Sequence, residues 1–313
     1  MSDSAGEAGS KGDRWSVLAI LRATTGHFEA RGVGEPRLSA ERLLADVLDC
    51  DRLDLYLAWD RPLVRDEIEA YRTRVKRRLA GEPVQYITGT AGFRELDLAV
   101  DTRVLVPRPE TEILVGEVLE WARAEAARSR VPEPGWRMVD LGTGSGAIAC
   151  ALATELEGVR WVLGVDRSVE AVALARENAG RTGAGRTRWV AADGLRALRP
   201  GVRVDAIVSN PPYVAEGERA SLPPEVAEWE PGEALFAGPQ GEEMLARIVA
   251  EAPAHLRPDG LLALEVGAGQ ADRIRELVES SDGLEFLATY RDLSGTERGL
   301  LALATGTHTD TDA

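Results

Sequence analysis

Four consecutive residues, Asn210-Pro211-Pro212-Tyr213, combine a planar amide, two rings without an N–H and an aromatic face. They follow an apolar, β-branched run, Val204-Asp205-Ala206-Ile207-Val208-Ser209, that reads as a buried strand of a parallel sheet. Proline fixes its own φ and pushes the residue before it into extended geometry, so the Asn210 amide is stiffened at the strand end. Such a corner offers acceptors, the Asn210 oxygen and a proline carbonyl, to the two hydrogens of a planar NH2 group, while Tyr213 covers one face. The chemistry this suits acts on a carboxamide or an exocyclic base amine. Asn-Pro is also a common turn signal, and alone it carries no more than that.

What stands upstream gives it weight. Gly142-Thr143-Gly144-Ser145-Gly146 follows a short apolar strand and opens a helix, where backbone can approach a ligand closely and free N–H groups point outward. Asp166 lies 166 − 146 = 20 residues past Gly146, the distance at which an acid meets a ribose diol. With Ala147 the turn also satisfies the dinucleotide fingerprint, so a nicotinamide-dependent oxidoreductase competes for it. Asp193 after the next strand, together with Asn210-Pro211-Pro212-Tyr213 after the one following, favours an S-adenosylmethionine site instead.

These residues must be positioned by alternating strands and helices. Strands are expected at 137–141, 161–165, 187–191, 204–209 and 261–266, with two more at 285–290 and 299–303, in a parallel sheet with crossover helices. Residues 14–82 read as a helical bundle: Leu43, Leu44, Val47 and Leu48 form one stripe, capped by Ser39, and Ile68, Tyr71, Val75 and Leu79 another, closed by Gly81. Residues 83–106 alternate and read as a linking β-hairpin. The sequence-derived domains are thus a disordered tail at 1–13, the bundle at 14–82, the hairpin at 83–106, an α/β domain at 107–305 and a second tail at 306–313. The Pro, Gly and Glu-rich connection at 214–241 reads as a loop over the site or a mobile lid.

Bulk properties narrow the partners. The formal net charge of -15 opposes the counterion-displacing grip of a nucleic-acid binder. A local run, Arg72, Arg74, Lys76, Arg77 and Arg78, reads as the solvated face of a helix, or else as a contact for an acidic or RNA-bound partner. No apolar run is long enough to span a membrane and no signal peptide is evident, so a cytoplasmic location is expected. Cys50 and Cys150 are expected inside helices as small apolar residues, and with three histidines no metal site is expected.

Taken together, Pro83-Val84-Gln85-Tyr86-Ile87-x-Gly89, Phe93, Pro107-Arg108-Pro109-Glu110-Thr111-Glu112, Asp140 to Gly146, Ser209 to Tyr213, Glu265-Val266-Gly267 and Asp292-Leu293-Ser294-Gly295 resemble the HemK/PrmC family of release factor glutamine-N5 methyltransferases. The resemblance implies an α/β fold: a seven-stranded, Rossmann-like class I methyltransferase domain behind a helical substrate-recognition domain. It implies that Gly142, Thr143, Gly144, Ser145 and Gly146 surround the methionine and ribose of S-adenosylmethionine, that Asp166 binds the ribose, and that Asp193 and Gly194 flank the adenine. Relatives carry an aromatic residue where Gly194 stands, which leaves backbone contact there. Phe93, Arg108, Pro109 and Glu110 are expected to line the cleft near the reacting methyl. Asn210, Pro211, Pro212 and Tyr213 are expected to hold the acceptor, the glutamine of a Gly-Gly-Gln loop in a peptide chain release factor. The product is S-adenosylhomocysteine, the enzyme a monomer, and Glu110 the nearest thing to a general base. A ribosomal-protein glutamine, a base amine of RNA or DNA, and a cofactor-binding regulator without turnover remain the alternatives.

Overall fold

A computed structural model describes residues 15–128 and 130–306; both terminal tails expected from the sequence lie outside the described residues, apart from 306. The chain divides at Thr88 into two compact units.

The first unit is helical: α1 (Val17–Ala30), α2 (Pro36–Leu48), α3 (Asp54–Leu57), α4 (Arg65–Leu79) and α5 (Val84–Thr88). In α1 the buried residues are Val17, Ile20, Thr24 and Phe28, the three-and-four spacing that puts them on one face. That face meets Leu43 and Leu44 of α2 and Tyr71 of α4, whose hydroxyl donates to the Ala40 carbonyl at 3.2 Å. Ser39 does not cap α2. Pro36 stands in the first turn, where its fixed φ and missing N–H suit a helix start, so α2 begins earlier and Ser39 is buried within it. Cys50 falls just after α2, half-buried, and not in a helix, while Cys150 lies buried in a helix of the second unit. Three of the five residues in the basic run are engaged locally: Arg74 pairs with Asp46, Arg77 with Glu82, and Arg78 donates to the Glu82 carbonyl.

The hairpin is shorter than the alternation suggests. Residues 84–88 form α5, because Tyr86 and Ile87 are adjacent and both buried, a pairing that a helical turn accommodates and a half-buried strand does not. The hairpin proper, β1 (Thr90–Phe93) and β2 (Leu96–Ala99), opens the second unit.

In chain order the second unit continues with α6 (Pro109–Ala127), β3 (Trp136–Leu141), α7 (Ala147–Glu155), β4 (Val159–Asp166), α8 (Val169–Thr182), β5 (Thr187–Ala191) and β6 (Val204–Ser209). Then come β7 (Val214–Ala215), α9 (Pro224–Trp229), α10 (Gly232–Leu235), β8 (Phe236–Gly238), α11 (Glu243–Glu251), β9 (Leu256–Glu265), α12 (Ala271–Glu279), β10 (Leu284–Arg291) and β11 (Glu297–Ala304).

Seven strands form one sheet in the order β10-β11-β9-β6-β3-β4-β5. The expectation of a parallel sheet holds except for β11, which pairs antiparallel with both β9 and β10; the short Asp292 to Thr296 turn after β10 permits only a reversal. All six residues of β6 are buried because both faces are covered. Met138, Ala206 and Val208 turn to the side of α6 and α7, whereas Val139, Ile207 and Leu262 turn to the side of α11 and α12. The chain runs from β3 outward to β4 and β5, then returns to place β6 on the other side of β3. That reversal opens a crevice at the carboxyl ends of β3 and β6.

The 214–241 connection is built rather than loose. β7 pairs with β8, and Arg108 grips the buried carboxylate of Glu230 with both oxygens at 2.7 Å.

Candidate active site

A cavity of about 720 Å³ occupies the crevice at the switch point, the size class of a small-molecule site. Its walls come from strand ends. Gly142, Thr143, Gly144 and Ser145 follow β3, Asp166 ends β4, Asp193 and Gly194 follow β5, and Asn210, Pro211 and Pro212 follow β6. Because Leu141 pairs with Ser209, the glycine turn and the Asn210 corner leave the sheet side by side. A Cβ on Gly142 would lie 3.8 Å from the Asn210 carbonyl oxygen.

The glycine turn fits a ligand cradle. Gly142, Gly144 and Gly146 have φ of 71°, 52° and 82°, the left-handed region open to glycine. A Cβ on Gly144 would meet nothing nearer than the Gly142 oxygen at 4.0 Å and would stand in the cavity. Gly146 serves differently. It does not line the cavity; a Cβ there would come within 2.9 Å of the Trp189 indole and 3.1 Å of Ala175. Its lack of a side chain makes room for helix packing, a need that spacing alone does not separate from ligand approach.

Asp166 lines the cavity and is held by two backbone donors, Gly144 N and Ser168 N, each at 2.9 Å, one to each oxygen, which fixes the orientation of its carboxylate and leaves further lone pairs for a ligand. Asp193 receives Arg247 Nη1 at 2.7 Å, and that hydrogen bond holds its carboxyl below the ordinary range. The same guanidinium stands over Gly194, 3.3 Å from where a Cβ would be, while Met244 and Ile248 of α11 supply apolar wall. Thr143 lines the cavity, but its hydroxyl turns back to the buried Asp140, whose carboxyl is pushed up to about 7 by burial. Left-handed glycines, an anchored carboxylate and an apolar slot fit the methionine, ribose and adenine parts of S-adenosylmethionine.

At the Asn210 corner, Nδ2 donates to Thr111 Oγ1 at 2.9 Å, and Thr111 Oγ1 donates to Glu265 Oε2 at 2.7 Å. Asn210 also lines the cavity, and with Nδ2 engaged its Oδ1 remains for a ligand. Tyr213 does not line the cavity; it is tucked beneath the corner with its hydroxyl 3.3 Å from Glu265 Oε1, and burial raises its ionisation well above the usual phenol range.

Other expected site residues fall elsewhere. Phe93 is 1% exposed and packs with Leu98 and Leu114 in the core, because the hairpin lies against α6. Pro109 and Glu110 start α6 but do not line the cavity, whereas Pro107, Arg108 and Thr111 do. Sequence reading passed over Thr111 and Glu265 as functional residues although both sit inside motifs it quoted; nothing in the chain signals that residues 154 apart share a hydrogen bond. It also passed over Glu230, whose burial raises its carboxyl to about 7 against the pull of Arg108. Replacing Arg108 by methionine is expected to strand that carboxylate and destabilise the unit by about 3 kcal/mol, readable as a lowered denaturation midpoint at pH 8. The loss should shrink as the pH falls toward about 7, because without Arg108 the buried carboxyl rises further and is neutral first, and level off below that, where Glu230 is neutral in the wild type as well.

Fold and cleft define a class I S-adenosylmethionine-dependent methyltransferase. Residues 19–89 match the model of the PrmC N-terminal domain, and residues 128–223 that of the methyltransferase small domain. The chain belongs to the release factor glutamine methyltransferase family. It is 42% identical to the release factor glutamine methyltransferase of Chlorobaculum tepidum over 93% of this chain and 98% of that one. With the protein of that name from Geobacter sulfurreducens it shares 40% identity over 92% and 96%. Among solved structures it superposes on the hMettl16 catalytic domain, crystallised with a MAT2A 3′UTR hairpin, with a TM-score of 0.52 and 16% identity, covering 78% of this chain and 82% of that one. This last likeness concerns the fold.

Proposed function

We propose that this enzyme methylates the side-chain nitrogen of the glutamine in the Gly-Gly-Gln loop of a peptide chain release factor, and that Asn210 and Pro211 hold that amide. The observation that carries the assignment of roles is the Asn210 side chain, lining the cavity beside the glycine turn with Nδ2 tied to Thr111 and Oδ1 left over. When bound, S-adenosylmethionine supplies an electrophilic methyl on a sulfonium and is left as S-adenosylhomocysteine.

The residues of the chain address the weakness of the acceptor. An amide nitrogen is a poor nucleophile because its lone pair is delocalised into the carbonyl. Asn210 Oδ1 and the Pro211 carbonyl accept its two hydrogens, which fixes the nitrogen and favours positive charge developing on it. The new bond is N–CH3, the broken bond is S–CH3, and the nitrogen then gives one proton to solvent. Gly142, Gly144, Ser145, Asp166, Asp193 and Gly194 hold the methyl donor. Among the described residues no helix is long and apolar enough to cross a membrane. The same reading has the enzyme working as a monomer in the cytoplasm, without stable nucleic-acid binding.

The test is transfer of labelled methyl to a release factor and to the same factor with Gln→Ala in its Gly-Gly-Gln loop. Label on the intact factor alone is expected. Saturable labelling of tRNA, rRNA or DNA with none on the factor would overturn the reading.

A further inference from the structure

We infer that Glu265, acting through Thr111, is a positioning residue that sets which end of the Asn210 amide faces the acceptor. This deepens the proposed function and rests on it for the acceptor's identity.

An asparagine amide can sit either way round, and only one orientation presents an acceptor to an incoming NH2 group. Proline geometry fixes the backbone of Asn210 but not this choice. The choice is made by proton counting. Thr111 has one hydroxyl proton, and the Glu265 carboxylate takes it at 2.7 Å. Thr111 Oγ1 can then only accept, and its partner must be the donor end of the amide, Nδ2, at 2.9 Å. Oδ1 is thereby turned to the cavity. Thr111 and Glu265 are 4% and 1% exposed, and the hydrogen bond between them is buried away from water. The mechanism gives this buried carboxylate no other task.

A protonated Glu265 would remove the constraint. It could donate to Thr111, release the Thr111 proton toward Asn210, and allow the amide to turn. Burial, helped by Glu110 on α6 and opposed by the hydrogen bonds of Thr111 and Tyr213 and by Arg298 on β11, raises this carboxyl to about 7, and Tyr290 on β10 also faces it.

The test compares wild type with Thr111→Val, Thr111→Ser and Glu265→Gln. Thr111→Val, nearly isosteric but without a hydroxyl, is expected to lower kcat by about 10- to 100-fold with S-adenosylmethionine Kd within about threefold, and Thr111→Ser to restore most of it. Wild-type kcat should fall as the pH drops through about 7, and Glu265→Gln should lose that acid limb. A readout independent of turnover is the Asn210 side-chain NH2 resonance, identified by its absence in Asn210→Ala. It should titrate with a midpoint near pH 7 in wild type and stay flat in Glu265→Gln. A resonance flat in wild type, or a Thr111→Val enzyme as fast as wild type, overturns the inference. Wild-type enzyme that labels no release factor while the resonance titrates as expected would instead defeat the proposed acceptor.

Discussion

Asn210→Ala is expected to reduce methyl transfer to a release factor by about 1,000-fold or more in single-turnover measurements, while S-adenosylmethionine affinity by calorimetry changes less than about tenfold. Removing one preorganised partner of developing charge costs ~2.7 to 4 kcal/mol in enzymes that depend on it. Here the same side chain also orients the nucleophile, and well-made positioning can be worth ~7 to 11 kcal/mol. The Pro211 carbonyl survives the substitution and keeps part of that effect, so the estimate sits near the upper end of the single-partner range. Asn210→Asp is a sharper control. It retains acceptor oxygens but has no hydrogen for Thr111, and it adds a negative charge to the pocket of Glu265. It should also lose at least about 100-fold. A drop of less than tenfold in either variant would remove Asn210 from the chemistry.

The second large effect is structural and reaches the cofactor. Gly164, in the middle of β4, pairs with Trp189 of β5, and the indole packs against both Gly164 and Gly146. A Cβ on Gly164 would sit 2.8 Å from Thr143 Oγ1 and closer still to the Trp189 ring. Trp189 is half-buried on the edge strand β5, but its rigid indole packs between Gly164, Gly146 and Ala175 and cannot bend aside as a lysine tip could. Gly164→Ala is therefore expected to destabilise the protein by about 3 kcal/mol and, by displacing Thr143, to weaken S-adenosylmethionine binding as well. Gly180→Ala provides the contrast: it lies on the exposed side of α8 with nothing within 4 Å of its would-be Cβ, and should gain about 0.5 to 1 kcal/mol. Equal midpoints in chemical denaturation for the two variants would refute this account of Gly164.

These two cases mark what the chain discloses by itself. Apolar β-branched runs ending in Gly, Asp or Asn-Pro put β3, β4, β5 and β6 within a few residues of their observed places, because buried parallel strands need such runs and their ends carry the ligand groups. Asn210, Asp166 and the glycine turn were legible for that reason. Features that depend on packing between distant segments were not. Phe93 and Gly146 have the residue types of a site and the surroundings of a core. Thr111 and Glu265 matter through their hydrogen bonds, and α5 forms where a local pattern had favoured a strand. The basic run on α4 reads from the sequence as a solvated helix face or a partner contact, and its local pairing with Asp46 and Glu82 depends on chain neighbours that spacing does not announce.

The antiparallel strand β11 has a consequence for the order in which the molecule is made. It inserts between β10 and β9, and Gly299 stands opposite Glu265 in its register. Until the residues from Glu297 onward leave the ribosome, β9 is an edge strand with unpaired backbone groups, and Arg298 is missing from the neighbourhood of Glu265. The glycine turn, Asp166 and Asn210 are all synthesised long before. A chain truncated before Glu297 would therefore carry the residues of both the donor cradle and the acceptor corner, but would lack Arg298 beside Glu265 and expose an aggregation-prone edge strand.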